Sequence, residues 1–275
     1  MPAAAPEPTE EGSVEAVRPR RKGIYVLPNA VTLAALFAGF YAIVMAMNGR
    51  FESAAIGIFC AAVLDGLDGR IARMTNTQSA FGEQMDSLCD MVSFGLAPAL
   101  IVYEWALKGL GKVGWIAAFI YCSGAALRLA RFNTNIGVVD KRFFQGLPSP
   151  AAAAVVVGLI FVMEDAGYRN AFKLDWLAWT ALGVTLFAGL TMVTNLPYYS
   201  FKVVGGRRTV PFVVIVAVAL GIATVSVHPP IALFLLFCVY GVSGYVVYAY
   251  RKAKGAPVSV IATSTEEPDE RGLHH

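Results

Sequence analysis

Four closely spaced aspartates carry the chemistry in this sequence. Asp65 and Asp68 stand three residues apart, and Asp86 and Asp90 stand four apart. On a helix, those spacings place side chains on one face. Gly82 precedes Asp86 by four residues and extends the second stripe. The segment between the two pairs, 74–81, is short and polar, so two antiparallel helices are expected, with their acidic faces meeting. Four carboxylates in one pocket repel unless they are protonated or neutralised. An all-oxygen ligand set without His or Cys suits Mg²⁺ or Mn²⁺. Two such ions would offset the four charges of Asp65, Asp68, Asp86 and Asp90.

Divalent ions held by carboxylates suit a diphosphate substrate, because they clamp phosphate oxygens and stabilise a leaving phosphate. Gly69 and Ala72 remove bulk beside the acids, so a nucleotide can lie against the backbone. Arg73 offers forked donors to a phosphate. One alternative is that the acids pair with Arg70, Arg73, Arg128 and Arg131 only to stabilise a helix bundle. Ionisable groups inside membrane spans are costly and tied to function, which favours chemistry. Another alternative is a cation transporter with the acids as its ion site. An arginine beside a small-residue shelf fits a nucleotide diphosphate better than a cation path.

The elements that position these residues follow from composition. Of 275 residues, 57% are hydrophobic and 15% charged, against about 25% charged in an average soluble domain. Mean hydropathy is +0.60. A soluble fold of this size cannot bury so much apolar surface, which excludes an ordinary water-soluble enzyme. An all-α polytopic membrane protein remains. A span needs about 20 apolar residues, and eight are expected, near 29–48, 52–73, 82–106, 113–133, 148–163, 175–194, 209–226 and 230–250. The acidic rows then close the second span and open the third. Residues 1–22 read as a disordered tail ending in the basic run Arg18–Lys22, residues 23–252 as the membrane domain, and residues 253–275 as a second tail.

Lysine and arginine set the orientation. In an eight-span arrangement with the N-terminus inside, seventeen of the 22 basic residues fall in cytoplasmic segments and five outside. Both termini and the acidic cluster are therefore expected on the cytoplasmic side. The run Arg18–Lys22 suits anionic lipid headgroups rather than nucleic acid, and Lys202, Arg207 and Arg208 read the same way. No signal peptide is expected, because acidic residues precede that basic run. Cys60, Cys89, Cys122 and Cys238 lack metal-site spacing and read as packed free thiols. Asn29 and Thr32, one turn apart at the start of the first span, suit helix capping or a nucleotide contact. Tyr198 and Tyr199 read as interfacial aromatics, and Ser87 and Ser93 as packing or site contacts.

The run Asp65-x-x-Asp68-Gly69-x-x-Ala72-Arg73, followed after eight residues by Gly82-x-x-x-Asp86-x-x-x-Asp90, resembles the signature of the CDP-alcohol phosphatidyltransferases. Residues 27–32, 86–99, 127–133 and 146–153 are most similar to the family's serine-accepting, integral-membrane branch. The resemblance covers roughly residues 20–250. It implies a six-helix core with two further C-terminal helices, usually a homodimer, in a bacterial cytoplasmic membrane. It implies CDP-diacylglycerol and L-serine as substrates, membrane lipids as surroundings, and two Mg²⁺ or Mn²⁺ ions as cofactors. Asp65, Asp68 and Asp86 would be the firmest metal ligands. Asp90 would be the general base and an additional metal contact. Asp68, Gly69, Ala72, Arg73, Gly82 and Asn29 would line the CDP site. Arg128, Arg131, Asn133 and Gln145 are candidates for the serine carboxylate or a phosphate, with Lys141 and Arg142 beside them. Glycerol 3-phosphate, inositol phosphate and choline remain alternative acceptors.

Overall fold

The computed structural model describes residues 26–75, 79–134, 143–168, 171–199, 221, 223 and 225–254. The helices are α1 (Val26–Met47), α2 (Phe51–Met74), α3 (Ala80–Asp90), α4 (Ala97–Trp105), α5 (Lys112–Thr134), α6 (Ser149–Asp165), α7 (Asp175–Val193) and α8 (Pro229–Ala253). A π-helical turn, Met91–Leu96, joins α3 to α4. The two form one rod, Ala80–Trp105. Five rods are long and apolar enough to cross a membrane: Pro28–Met47, Ala80–Trp105, Lys112–Thr134, Asp175–Val193 and Pro229–Ala253. The other two described helices match expected spans but differ in kind. α2 carries Asp65, Asp68, Arg70 and Arg73 in its last turns. α6 is only 17 residues long.

The expected span 209–226 falls mostly outside the described residues. So do both tails, the run Arg18–Lys22, and Lys141, Arg142, Lys202, Arg207 and Arg208.

Many small residues line the helix interfaces, and many large apolar side chains face outward. Ala42, Ala54, Ala61 and Ala125 are fully buried, whereas Phe37, Phe119, Leu127 and Val239 are exposed. This suits a lipid environment, where close backbone packing rather than water exclusion holds helices together. The α5–α7 crossing depends on it. A Cβ on Gly124 would stand 2.5 Å from the Gly189 carbonyl oxygen, and one on Gly189 would stand 2.8 Å from Tyr121 Cα.

The π-helical turn has a local cause. Pro98 has no N–H to give the carbonyl of Phe94, four residues earlier. The buried Tyr121 hydroxyl donates to that carbonyl instead, at 2.9 Å. The amide of Ala97 reaches back five residues to Val92.

The fold is the expected all-α membrane architecture, with one short antiparallel ribbon added. β1 (Phe143–Gln145) pairs with β2 (Pro197–Tyr199), with Phe144 opposite Tyr198. Strands of three residues are too short for alternation to reveal them. Gly146, at φ +73°, turns the chain out of β1. A Cβ there would meet the Met192 carbonyl at 2.3 Å. Tyr198 corrects another expectation: it is fully buried rather than interfacial, and its hydroxyl donates to the Gly241 carbonyl at 2.6 Å. The four cysteines are free thiols as expected, although Cys60 is exposed rather than packed.

Candidate active site

Five helix ends meet at one end of the bundle: the starts of α1, α3 and α6, and the last turns of α2 and α5. Ser79 starts α3. Its extended backbone and side-chain oxygen cap the helix by accepting from the Gly82 amide at 3.0 Å. That cap directs the Gly82–Asp86–Asp90 stripe toward the end of α2.

The carboxylates of Asp65, Asp68 and Asp86 each offer an oxygen within 4.8 Å of the other two. Asp68 is buried and the other two are half-buried. Asp90 lies outside this triad, one turn along α3. Its carboxyl is in hydrogen-bond contact with Asp65 and within electrostatic range of Asp86 and Arg128. The expected four-acid set is thus a triad with one acid beside it. Three converging oxygen donors fit a hard divalent cation.

Beside the triad lies a cavity of about 140 Å³. Asn29, Asp68, Gly69, Ala72, Arg73 and Gly82 all line it, so every residue expected at a CDP site is there. At Gly69 the space is open, because a Cβ on it would meet nothing within 4 Å. Packing therefore does not require glycine at that position, which borders the open cavity. Gly82 differs, since its Cβ would come 3.2 Å from Ser79 Oγ and 3.6 Å from Asn29 Oδ1.

The sequence profile of CDP-alcohol phosphatidyltransferases matches residues 25–191, including every helix that lines the cavity. The chain belongs to the CDP-alcohol phosphatidyltransferase family. Three relatives carry the name CDP-diacylglycerol–serine O-phosphatidyltransferase. One from Helicobacter pylori strain J99 is 35% identical over 224 residues, covering 80% of this chain and 90% of its own. One from Methanocaldococcus jannaschii is 32% identical over 226 residues, covering 81% and 96%. One from Mycobacterium leprae is 31% identical over 235 residues, covering 81% and 75%.

In this phosphatidyltransferase the remaining candidates separate. Arg128 is buried near Asp90, and its Nη1 donates to Ser149 Oγ at 2.8 Å. Arg131 is half-buried and turns to close the carboxyl end of α7. Its Nη1 donates to Asn195 Oδ1 at 2.7 Å and its Nη2 to the Val193 carbonyl at 2.6 Å. Asn133 Nδ2 donates to Ser87 Oγ at 3.0 Å and ties α5 to α3. Gln145 ends β1, opposite Pro197. Ser93 is a packing contact, donating to the Ala35 carbonyl at 3.3 Å.

Thr32 takes a more specific role than the sequence reading gave it, and other cavity residues escaped that reading. Thr32 donates to Asp68 Oδ2 at 2.7 Å, with the Pro28 carbonyl 3.1 Å away. It therefore orients a member of the triad rather than capping a helix. Pro28, Ser79 and Glu83 also line the cavity. For Ser79, a serine at a helix start was the available signal. No local pattern signals Ser149 or the reach of Thr32, because their partners are 21 and 36 residues away.

Proposed function

We propose that this chain transfers the phosphatidyl group from CDP-diacylglycerol to L-serine, releasing phosphatidylserine and CMP. One observation carries the reading: the whole expected CDP site lines a single cavity that adjoins the aspartate triad. The serine-transferring names of relatives that align over four-fifths of the chain support the choice of acceptor.

Asp65, Asp68 and Asp86 would hold divalent metal, two Mg²⁺ or Mn²⁺ ions with Asp90 as a further contact. Bound metal supplies charge neutralisation at the diphosphate and stabilises the departing CMP. Gly69 and Ala72 admit the nucleotide, Gly82 and Asn29 face it from α3 and α1, and Arg73 gives donors to a phosphate. Asp90 takes the proton from the serine hydroxyl as that oxygen bonds to the phosphorus bearing diacylglycerol. The bond from that phosphorus to the CMP oxygen breaks. Arg128 meets the acceptor carboxylate, while Arg131 and Asn133 brace the helices around it, and Gln145 borders the same side.

The reading includes a membrane domain over 23–252 with eight spans, acting as a homodimer in a bacterial cytoplasmic membrane. The charge asymmetry supports placing the site and both termini on the cytoplasmic side. Serine then arrives from water while the acyl chains stay in lipid.

The test is CMP release by the purified protein from CDP-diacylglycerol and Mn²⁺, with serine, glycerol 3-phosphate, inositol phosphate or choline offered in parallel. Serine-dependent release that a chelator abolishes is the expected result. Release with a different acceptor and none with serine would overturn the substrate assignment and leave the family chemistry standing.

A further inference from the structure

The cavity has two levels. Thr32, Asp68 and Asp86 form the inner one, joined by the Thr32–Asp68 hydrogen bond and by the triad. Three or four residues farther toward the end of the bundle stand Asn29 on α1, Ala72 on α2 and Glu83 on α3, all lining the same space. That separation is one helical turn, about 5.4 Å. Burial falls in the same direction: Asp68 is buried, Asp86 half-buried and Glu83 exposed. The cavity therefore opens outward past Glu83. Asn29 Oδ1 stands 3.6 Å from the place of a Cβ on Gly82, so α1 and α3 close together at this outer level.

Of the acids lining this space, Asp68 and Asp86 belong to the triad and Glu83 does not. Arg73 lines the same cavity with the opposite charge, yet among the described residues neither Arg73 nor Glu83 enters a salt bridge. Unlike charges left apart on the walls of one cavity suit a ligand that is anionic at one point and donates hydrogen bonds at another. Phosphate alone does not account for Glu83. The amino end of a helix favours an anion, and a carboxylate in the first turns opposes that. Glu83 also fills one of the open positions between Gly82 and Asp86 in the signature, so it is a feature of this chain beyond the motif.

We propose that Glu83 holds the nucleotide by its ribose, accepting hydrogen bonds from the 2′- and 3′-hydroxyls. The inference rests on the CDP site proposed above and deepens it. With the diphosphate at the inner level, one helical turn outward is the step from a phosphate to its own sugar, and the base lies farther out. A carboxylate offers two acceptor oxygens, and a vicinal diol offers two O–H donors. A carboxylate accepting from a ribose hydroxyl is a recurrent arrangement in nucleotide sites. The open space at Gly69 and the small side chain of Ala72 leave room for the sugar on the facing helix. Glu83 thereby binds the neutral part of a ligand whose charged part the triad and Arg73 take.

The experiment measures equilibrium binding of CMP and of 2′,3′-dideoxy-CMP, which lacks both donors, to the full chain in detergent with Mn²⁺. The wild-type chain should bind CMP about tenfold more tightly than the dideoxy analogue, the worth of a hydrogen bond to a charged group. Glu83→Ala should weaken CMP by about tenfold and leave the dideoxy analogue within about twofold, so that the gap closes. Glu83→Gln keeps the shape without the charge and should weaken CMP by about threefold; it carries the test if Glu83→Ala fails to fold. Gln84→Ala, one residue along and outside the lining, should move neither ligand. A carboxylate serving only the helix end predicts the opposite sign, because its removal relieves repulsion of the phosphate. CMP affinity unchanged or tighter in Glu83→Ala, or a dideoxy analogue weakened as much as CMP, overturns the ribose contact. A wild-type chain that binds no CMP overturns the nucleotide reading beneath it instead.

Discussion

Asp90 and its three neighbours have the same side chain but different surroundings. Asp65, Asp68 and Asp86 converge, and Thr32 holds one oxygen of Asp68 in place. Asp90 touches the cluster only from the side, with Arg128 in range. This division predicts that Asp90→Asn lowers turnover by about 10²–10⁴-fold, the usual contribution of a general base. Metal-dependent binding of CDP-diacylglycerol should survive in that variant and be lost in Asp86→Asn. Equilibrium binding of a labelled CDP-lipid, measured beside turnover, separates the two; near-normal turnover in Asp90→Asn would remove it as the base. Three- and four-residue spacings made the carboxylates legible, because helical geometry turns them into shared faces. The Thr32–Asp68 and Arg128–Ser149 bonds were not legible, because each joins helices whose relative rotation is set by packing. Arg131 illustrates the same limit: its bonds to Asn195 and the Val193 carbonyl reach across more than sixty residues and have no local signal.

At the scale of elements, the spans around 52–73, 113–133 and 175–194 agree with their helices to within a few residues. Long apolar runs with polar ends are strong signals. The π-helical turn and the ribbon were hidden, since one depends on Pro98 meeting Tyr121 from another helix and the other on pairing across more than fifty residues. Because Tyr121 supplies the donor that Pro98 lacks, Tyr121→Phe leaves a buried carbonyl unmet, at a cost of about 1–3 kcal/mol. Thermal unfolding in detergent should show a lower Tm for this variant. An unchanged Tm would mean that the Phe94 carbonyl finds another donor. The same turn follows directly after Asp90, as irregular helix often does beside functional groups.

Across the whole molecule, the site residues share one end of the bundle, and Trp105 with Glu164 closes the other through a hydrogen bond of 2.8 Å. On the proposed topology, the site end faces the cytoplasm. In a chain stripped of its native cysteines, Asn48→Cys should react with an impermeant maleimide from outside intact cells, and Thr75→Cys only after the membrane is opened. The reverse pattern would invert the topology. Composition was enough to read the membrane class and the outward-facing apolar surface, but not the rotation of α8, which the Tyr198–Gly241 hydrogen bond fixes across 43 residues. Among the described residues, the aspartate triad and the cavity beside it draw on residues 28–86. During synthesis that lining leaves the ribosome before α4 to α8, so the pocket's own helices can pair while the rest of the chain is still being made.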